Sequence, residues 1–140
     1  MINFRQYTNM EKCVIPDGVT LSNTNFDSKF YNMRNLRELT LPNQVTNITN
    51  ICRSCYNLTT AVCGPNVTDM SYAYYYCNNL TTAVCGPNVI NMSYAYSHCY
   101  NLTTAVCGPN VTNMSDAYYN CTNLTTAICG ENVIDMSFAY

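Results

Sequence analysis

The sequence predicts a right-handed solenoid of the α/β or mainly β class, with one short parallel strand in each 22-residue coil. Residues 55–140 are four near-copies of one 22-residue unit, and a fixed period of about 20–29 residues is typical of a solenoid. Ala61 and Cys63 alternate with Val62, which predicts a strand at 61–63 with Val62 outward. The next apolar residues have helix-like spacing, which predicts a short helical or turn segment: Val67, Met70, Ala73, Tyr74 and Cys77.

The rest of the unit supports the same coil. Gly64-Pro65 follows the strand and ends it, because proline cannot donate to a ladder. The asparagines after it are expected to form an inner column whose amides hydrogen-bond the turning backbone: Asn66, Asn88, Asn110 and Asn132. The repeat continues upstream in degenerate form, so we expect one domain over 1–140. Its parts are a stub at 1–6 and the units 7–32, 33–54, 55–76, 77–98, 99–120 and an incomplete 121–140.

Charge excludes one class of partner. The chain has a formal net charge of −2, and all six basic residues precede residue 54. A nucleic-acid-binding surface needs Lys or Arg along the repeated face, so we expect no nucleic-acid partner. No apolar stretch approaches the length of a membrane span, and the N-terminus has no apolar run typical of a signal peptide.

Cysteine is abundant, but its spacing favours packing over cross-linking. Eight of the ten cysteines recur at the repeat period. One column is Cys63, Cys85, Cys107 and Cys129, and the other is Cys55, Cys77, Cys99 and Cys121. We predict buried free thiols, since Cys is a small, readily buried residue; an oxidised, extracellular protein is the alternative. Cys52 and Cys55 form a C-x-x-C pair without the second pair of a zinc site, so we expect no metal and no cofactor.

The strand half of unit 33–54, Leu36-Arg-Glu-Leu39-Thr-Leu41-Pro42, and the later Ala73-Tyr74, Cys77 and Leu80 resemble the BspA-type (Treponema pallidum-type) leucine-rich repeat. The units are also similar to Met-Ser-rich surface repeats of mycoplasma and gut bacteria. This resemblance implies a leucine-rich repeat solenoid and a surface or virion protein. Ala and Cys replace the usual Leu or Ile on the strand of the later units, which implies a thinner core.

Two sets of residues are candidates for partner binding. Exposed Tyr supplies contact area at low entropic cost, and the aromatic candidates are Tyr72, Tyr94, Phe138, Tyr56 and Tyr100. Duplication of one Tyr-rich ancestor is the alternative explanation. The second set is an apolar strip on the outward strand face, Val62, Val84, Val106 and Ile128. Such a row is also what strands simply prefer.

No catalytic constellation accompanies these residues, so an enzyme is not expected. The predicted function is a recognition or adhesion module for a protein or glycan partner. A spacer or assembly element of a phage or viral particle is the alternative. Unit 121–140 keeps core residues such as Met136 but lacks a polar outer face. We therefore expect it to be covered by a second copy, a partner or further sequence.

Overall fold

The computed structural model describes residues 3–140, and in it the chain winds into a solenoid of stacked coils. A short 3₁₀ helix at Phe4–Gln6 precedes the strands β1 (Lys12–Val14), β2 (Glu38–Thr40), β3 (Thr82–Val84), β4 (Thr104–Val106) and β5 (Thr126–Ile128). All pairings are parallel, as predicted, and they form the sheets β1–β2 and β3–β4–β5. Within the described range, no helix is long and apolar enough to cross a membrane.

The strands lie one residue earlier than the sequence predicted. β3 covers Thr82–Val84, whereas the predicted position corresponds to 83–85. The predicted orientation holds, because Ala83 is buried and Val84 is exposed. The strand Ala of the last coil, Ala127, is exposed because no described coil covers the side of β5 that faces away from β4.

The prediction of one strand in every coil is wrong for unit 55–76. Its segment 60–62 is not extended into either sheet, and the strand side is interrupted between β2 and β3. The opposite side of the solenoid has no such interruption. There, single-residue parallel bridges run from coil to coil through Asn25, Asn47, Asp69, Asn91, Asn113 and Asp135.

The segment predicted to be helical or turn is a run of turns, and the helical alternative is not adopted. Alternate backbone N–H groups leave their own coil: Met70 donates to Asn91 C=O (2.9 Å) and Tyr72 donates to Ser93 C=O (2.9 Å). Ala73 N–H, by contrast, stays within its own coil and closes a turn on Met70 C=O (3.0 Å). A helix would need all these donors within the coil. The 3.6-like spacing therefore comes from consecutive turns that stack on the next coil.

The core consists of columns of equivalent side chains. Tyr74, Tyr96 and Tyr118 are buried one above the other, as are Met70, Met92 and Met114. The prediction of an inner position for the asparagine column is wrong, but the prediction of hydrogen bonds from its amides to the backbone is right. Those four asparagines are exposed, yet their amides donate to backbone carbonyls of the preceding coil: Asn66 to Asn43, Asn88 to Pro65, Asn110 to Pro87 and Asn132 to Pro109, at 2.7–2.8 Å.

The coil at 121–140 differs from those before it because no coil within residues 3–140 covers its outer side. Met136 is 48% exposed, whereas Met114 in the preceding coil is 0% exposed. Ile134 and Phe138 are also exposed. Tyr140, in the column of the buried tyrosines, is exposed for the same reason. The handedness of the solenoid and its division into six units stay predictions.

Candidate functional site

Aromatic side chains from the turn runs of units 55–120 meet at one place on the surface. We call this group the aromatic cluster: Tyr72, Tyr75, Tyr76, Tyr94, His98, Tyr100 and Tyr119, with Arg53 at its edge. Its centre is a parallel stack of Tyr72 and Tyr94, with ring centroids 4.6 Å apart and planes at 3°. Stacking of equivalent residues follows from the solenoid, which repeats each position in the next coil.

Arg53 covers one end of this stack. Its guanidinium carbon lies 4.7 Å from the ring centroid of Tyr75 and 5.5 Å from that of Tyr72. Such cation–π contacts contribute on the order of 0.5–1 kcal/mol at exposed sites. At the other end, Asp116 follows Tyr94 in the same column, and its hydrogen bond and charge raise the pKa of Tyr94. The cluster thus lies between one cation and one anion.

His98, the single histidine of the chain, lies among tyrosines. Its ring centroid is 4.4 Å from that of Tyr76 and 5.3 Å from that of Tyr75. Tyr100 and Tyr119 complete the surroundings at 6.0 and 5.6 Å. Desolvation lowers the pKa of His98, so the imidazole is neutral at neutral pH. Its Nδ1 is 3.0 Å from Ser97 Oγ.

The backbone beneath the cluster is strained at two positions in each turn run. Left-handed φ values are uncommon outside glycine, are best tolerated by Asn and Asp, and make a bulky residue an outlier. The first column of such positions holds Ser28, Asn50, Tyr72, Tyr94, Asp116 and Phe138; the second holds Asn32, Ser54, Tyr76, His98 and Asn120. Units 7–32, 33–54 and 99–120 have small polar residues at both positions, and the last coil has Phe138. Units 55–98 use only aromatic residues, at φ 55–62°, and all four belong to the cluster.

The structure brings together some of the predicted aromatic residues and separates others. Tyr72 and Tyr94 are stacked, and Tyr100 reaches the cluster beside His98. Tyr56 lies beneath the Arg34 guanidinium at 5.4 Å. Phe138 lies in the last coil, separated from Tyr94 by Asp116. Their role in binding stays a prediction.

Sequence reasoning missed Tyr75, Tyr76, His98, Tyr119 and Arg53 as members of one surface. For two of them, Tyr76 and His98, the alignment of the repeats does contain an indication. Tyr76 and His98 occupy a column that is otherwise Asn or Ser. Small polar residues in a column indicate a left-handed backbone position, where an aromatic residue needs an explanation.

The predicted valine strip is present only on the second sheet. Val84, Val106 and Ile128 are exposed on β3, β4 and β5. Val62 is only half-exposed, and its N–H donates to the Tyr74 hydroxyl (3.0 Å) instead of to a neighbouring strand. The strip therefore covers three coils and stops at unit 55–76.

The cysteine columns have a structural explanation. The thiols of Cys55, Cys77, Cys99 and Cys121 each donate to a backbone carbonyl 25 residues earlier in the chain, at 3.0–3.2 Å. Burial raises the pKa of the Cys121 thiol to about 11 and that of Cys85 to about 12, so these thiols are poor nucleophiles at neutral pH. Residues 3–140 contain no group of His, Cys, Asp and Glu that could hold a metal ion. The reduced state of the thiols stays a prediction.

Comparison with known proteins agrees with this architecture. The family profile described as "BspA type Leucine rich repeat region" matches residues 3–125 in six copies. Among solved structures, a leucine-rich repeat protein of T. pallidum is similar over 84% of this chain and 74% of its own, at 15% identity and a TM-score of 0.47. No curated protein matches. The chain belongs to the BspA-type leucine-rich repeat family.

Proposed function

We propose that the chain is a non-catalytic recognition module that binds a protein partner through the aromatic cluster. The observation that carries this proposal is the strained backbone beneath it. Four bulky residues, Tyr72, Tyr76, Tyr94 and His98, stand at left-handed positions. Each such position costs on the order of 1–3 kcal/mol. Units 7–54 and 99–120 have only Ser, Asn or Asp at these positions, and the last coil has Phe138. Packing does not require the aromatic residues there, so their contact with a partner explains them.

The arrangement of the rings favours a protein over a glycan. A sugar binds an aromatic residue across a free ring face. In the cluster, Tyr72 and Tyr94 lie face to face, and the Arg53 guanidinium lies over Tyr72. The rings of the cluster are half-buried, apart from that of Tyr119, which is exposed. Such amphipathic surfaces suit protein interfaces, where Tyr and Arg are enriched. Leucine-rich repeat regions also generally bind proteins, which supports the same choice.

A selection of peptides tests the site. A displayed library of random peptides is selected on the wild-type 140-residue chain, and the recovered peptides are titrated against two variants. Tyr72→Asn/Tyr94→Asn removes the stack, and Asn50 shows that Asn fits this column. Val84→Thr/Val106→Thr is the control on the strand face. We expect the first variant to bind at least about tenfold more weakly and the control to bind unchanged.

Two results would contradict the proposal. Peptides that bind the Tyr72→Asn/Tyr94→Asn variant as tightly as the wild type would place recognition elsewhere. Binding lost only in the strand-face control would assign it to the valine strip. If no peptide is selected, a role as spacer or assembly element is favoured. Thermal unfolding of each variant establishes that it is folded.

A further inference from the structure

Three consecutive coils contain the same ten residues but not the same structure. The segment Leu-Thr-Thr-Ala-Val-Cys-Gly-Pro-Asn-Val occupies 58–67, 80–89 and 102–111. In the second and third copies it contains the strands β3 and β4. In the first copy the corresponding residues 60–62 lie outside both sheets. The sequence is therefore compatible with both conformations, and the surroundings select between them.

The first copy keeps the bond of Thr59 N–H to Arg37 C=O (3.1 Å), but the bonds of the strand positions themselves are missing on both sides of the gap. In paired coils the residue after the strand donates to the next coil: Ile15 N–H to Thr40 C=O (3.0 Å), Cys85 to Val106 (3.2 Å) and Cys107 to Ile128 (2.8 Å). Within residues 3–140, no such bond joins Leu41 to Val62 or Cys63 to Val84. The segment lacks sheet pairing towards β2 and towards β3.

The Tyr74 hydroxyl takes the place of these strand bonds. It accepts the N–H of Val62 at 3.0 Å and also donates to the C=O of Val62. The equivalent tyrosines have fewer partners. Tyr96 donates to Val84 C=O at 3.3 Å, and the buried hydroxyl of Tyr118 has no hydrogen-bond partner. Val84 lies in β3, at the edge of its sheet, and Val106 lies in the central strand β4. The hydroxyl thus bonds the backbone most where the sheet pairs least.

We propose that the Tyr74 hydroxyl holds Thr60–Val62 out of the sheet, and that on its release this segment pairs with β2 and β3. The two sheets then become one continuous sheet from β1 to β5. The change alters the strand face, because the charged surface of β1–β2, with its Lys12–Glu38 ion pair, becomes continuous with the uncharged surface of β3–β5. The proposal stands without the proposed function.

The position of Tyr74 also connects this change to the aromatic cluster. Tyr74 lies in the turn run between Tyr72 and Tyr75, both members of the cluster. Its side chain crosses the core, and its hydroxyl reaches the strand side at Val62. A partner that moves the turn run would move this hydroxyl. This connection alone rests on the proposed function.

Amide hydrogen exchange on the 140-residue chain tests the proposal without a partner. The probe is the Cys63 amide, because its counterpart Cys85 N–H is bonded to Val106. In the wild type we expect Cys63 to exchange roughly tenfold or more faster than Cys85. In Tyr74→Phe, the hydroxyl is gone and the ring remains, so the segment enters the sheet and exchange at Cys63 slows towards that of Cys85. Tyr96→Phe is the matched control and leaves Cys63 unchanged.

Two outcomes overturn the proposal. Equal exchange of Cys63 and Cys85 in the wild type would mean that the sheet is already continuous. This measurement needs no variant, so it holds even if Tyr74→Phe does not fold. If Tyr74→Phe accelerates exchange at Val62 and leaves Cys63 fast, the hydroxyl only stabilises a loop. Neither outcome depends on peptide binding, so failure here is distinct from failure of the recognition site.

Discussion

The coils at 55–76 and 77–98 differ in structure although their strand segments are identical in sequence. Residues 58–67 and 80–89 match at every position, yet only the second segment contributes a strand. Local propensity is therefore the same in both coils and cannot decide between them. The contacts around the two segments differ instead, as expected where tertiary context overrides the propensity of a short β segment.

The neighbours differ in the size of their inward side chains. Unit 33–54 places Leu39 and Leu41 on its strand and Pro42 after it. Unit 55–76 places Ala61, Cys63 and Gly64 at the same positions. This step in size falls at the gap. Beyond it, both partners of each coil pair have the same small residues, and the strands pair in register.

The difference between the two coils is confined to the strand side. Core substitutions on the turn side test this with the largest expected change in the free energy of unfolding. Met70 and Met92 are both 0% exposed, on the turn side of the two coils. We expect Met70→Ala and Met92→Ala each to lower the free energy of unfolding by about 2–5 kcal/mol, through lost burial and the cavity left behind. Chemical denaturation measures both values.

Met136→Ala is the matched control for these substitutions. Met136 is the same column residue in the uncovered last coil, and we expect it to cost less than about 1 kcal/mol because half of its side chain is already exposed. A cost for Met70→Ala close to that of Met136→Ala would show that the interruption at 60–62 extends through the whole coil.

Glycine substitutions probe the spacing of the coils directly, with opposite expected signs. A Cβ on Gly108 would lie 2.6 Å from Gly86 O and 3.2 Å from Cys85 Sγ. A Cβ on Gly64 would meet only Val67 Cγ2, at 3.7 Å, and nothing from the preceding coil. We expect Gly108→Ala to destabilise by about 1–3 kcal/mol, since backbone must shift. Gly64→Ala should stabilise by about 0.4–1 kcal/mol, because it restricts the unfolded chain. Urea unfolding gives both, and equal effects would contradict a wider spacing at Gly64.

The sequence predicts which residues stack in columns, but it does not predict the local backbone geometry of each coil. The 22-residue period predicts stacking, parallel pairing and which residues lie inward, because each position repeats against itself. Spacing alone could not separate a helix from the run of turns, since both place an apolar residue inward every three to four positions. The gap at 60–62 could not be predicted either, because the segment has the same sequence in three coils and only its contacts differ, such as that of Val62 with the Tyr74 hydroxyl.

The candidate site was partly visible for the same reason. Tyr72 and Tyr94 share a column, so their stacking follows from the period. Tyr76 and His98 also share a column, whereas the contact of His98 with Tyr75 joins two different columns across coils. Such contacts depend on the left-handed backbone at 76 and 98, which turns both side chains to the surface. The repeat pattern does not specify that geometry unless the small polar residues of those columns are interpreted.

Removal of single tyrosine hydroxyls has the smallest expected effects on the free energy of unfolding. The sign of the change is expected to differ between coils. The Tyr118 hydroxyl is buried without a hydrogen-bond partner, whereas Tyr96 donates to Val84 C=O. An unpaired buried hydroxyl costs about 1–3 kcal/mol, and a typical hydrogen bond contributes about 0.5–1.5 kcal/mol. Tyr118→Phe should therefore leave the free energy of unfolding unchanged or raise it, and Tyr96→Phe should lower it by about 1 kcal/mol.

Both rings keep their packing in these variants, because only the hydroxyl is removed. The Tyr96–Tyr118 stack, with centroids 5.9 Å apart, is present in each, so it cancels from the comparison. The difference between the two variants then isolates whether a core tyrosine bonds the strand of its own coil. A loss of stability in Tyr118→Phe equal to that in Tyr96→Phe would mean that β4 also accepts the hydroxyl. In that case, the decrease in hydroxyl hydrogen bonds from Tyr74 to Tyr118 would be unrelated to how fully the neighbouring strand is paired in its sheet.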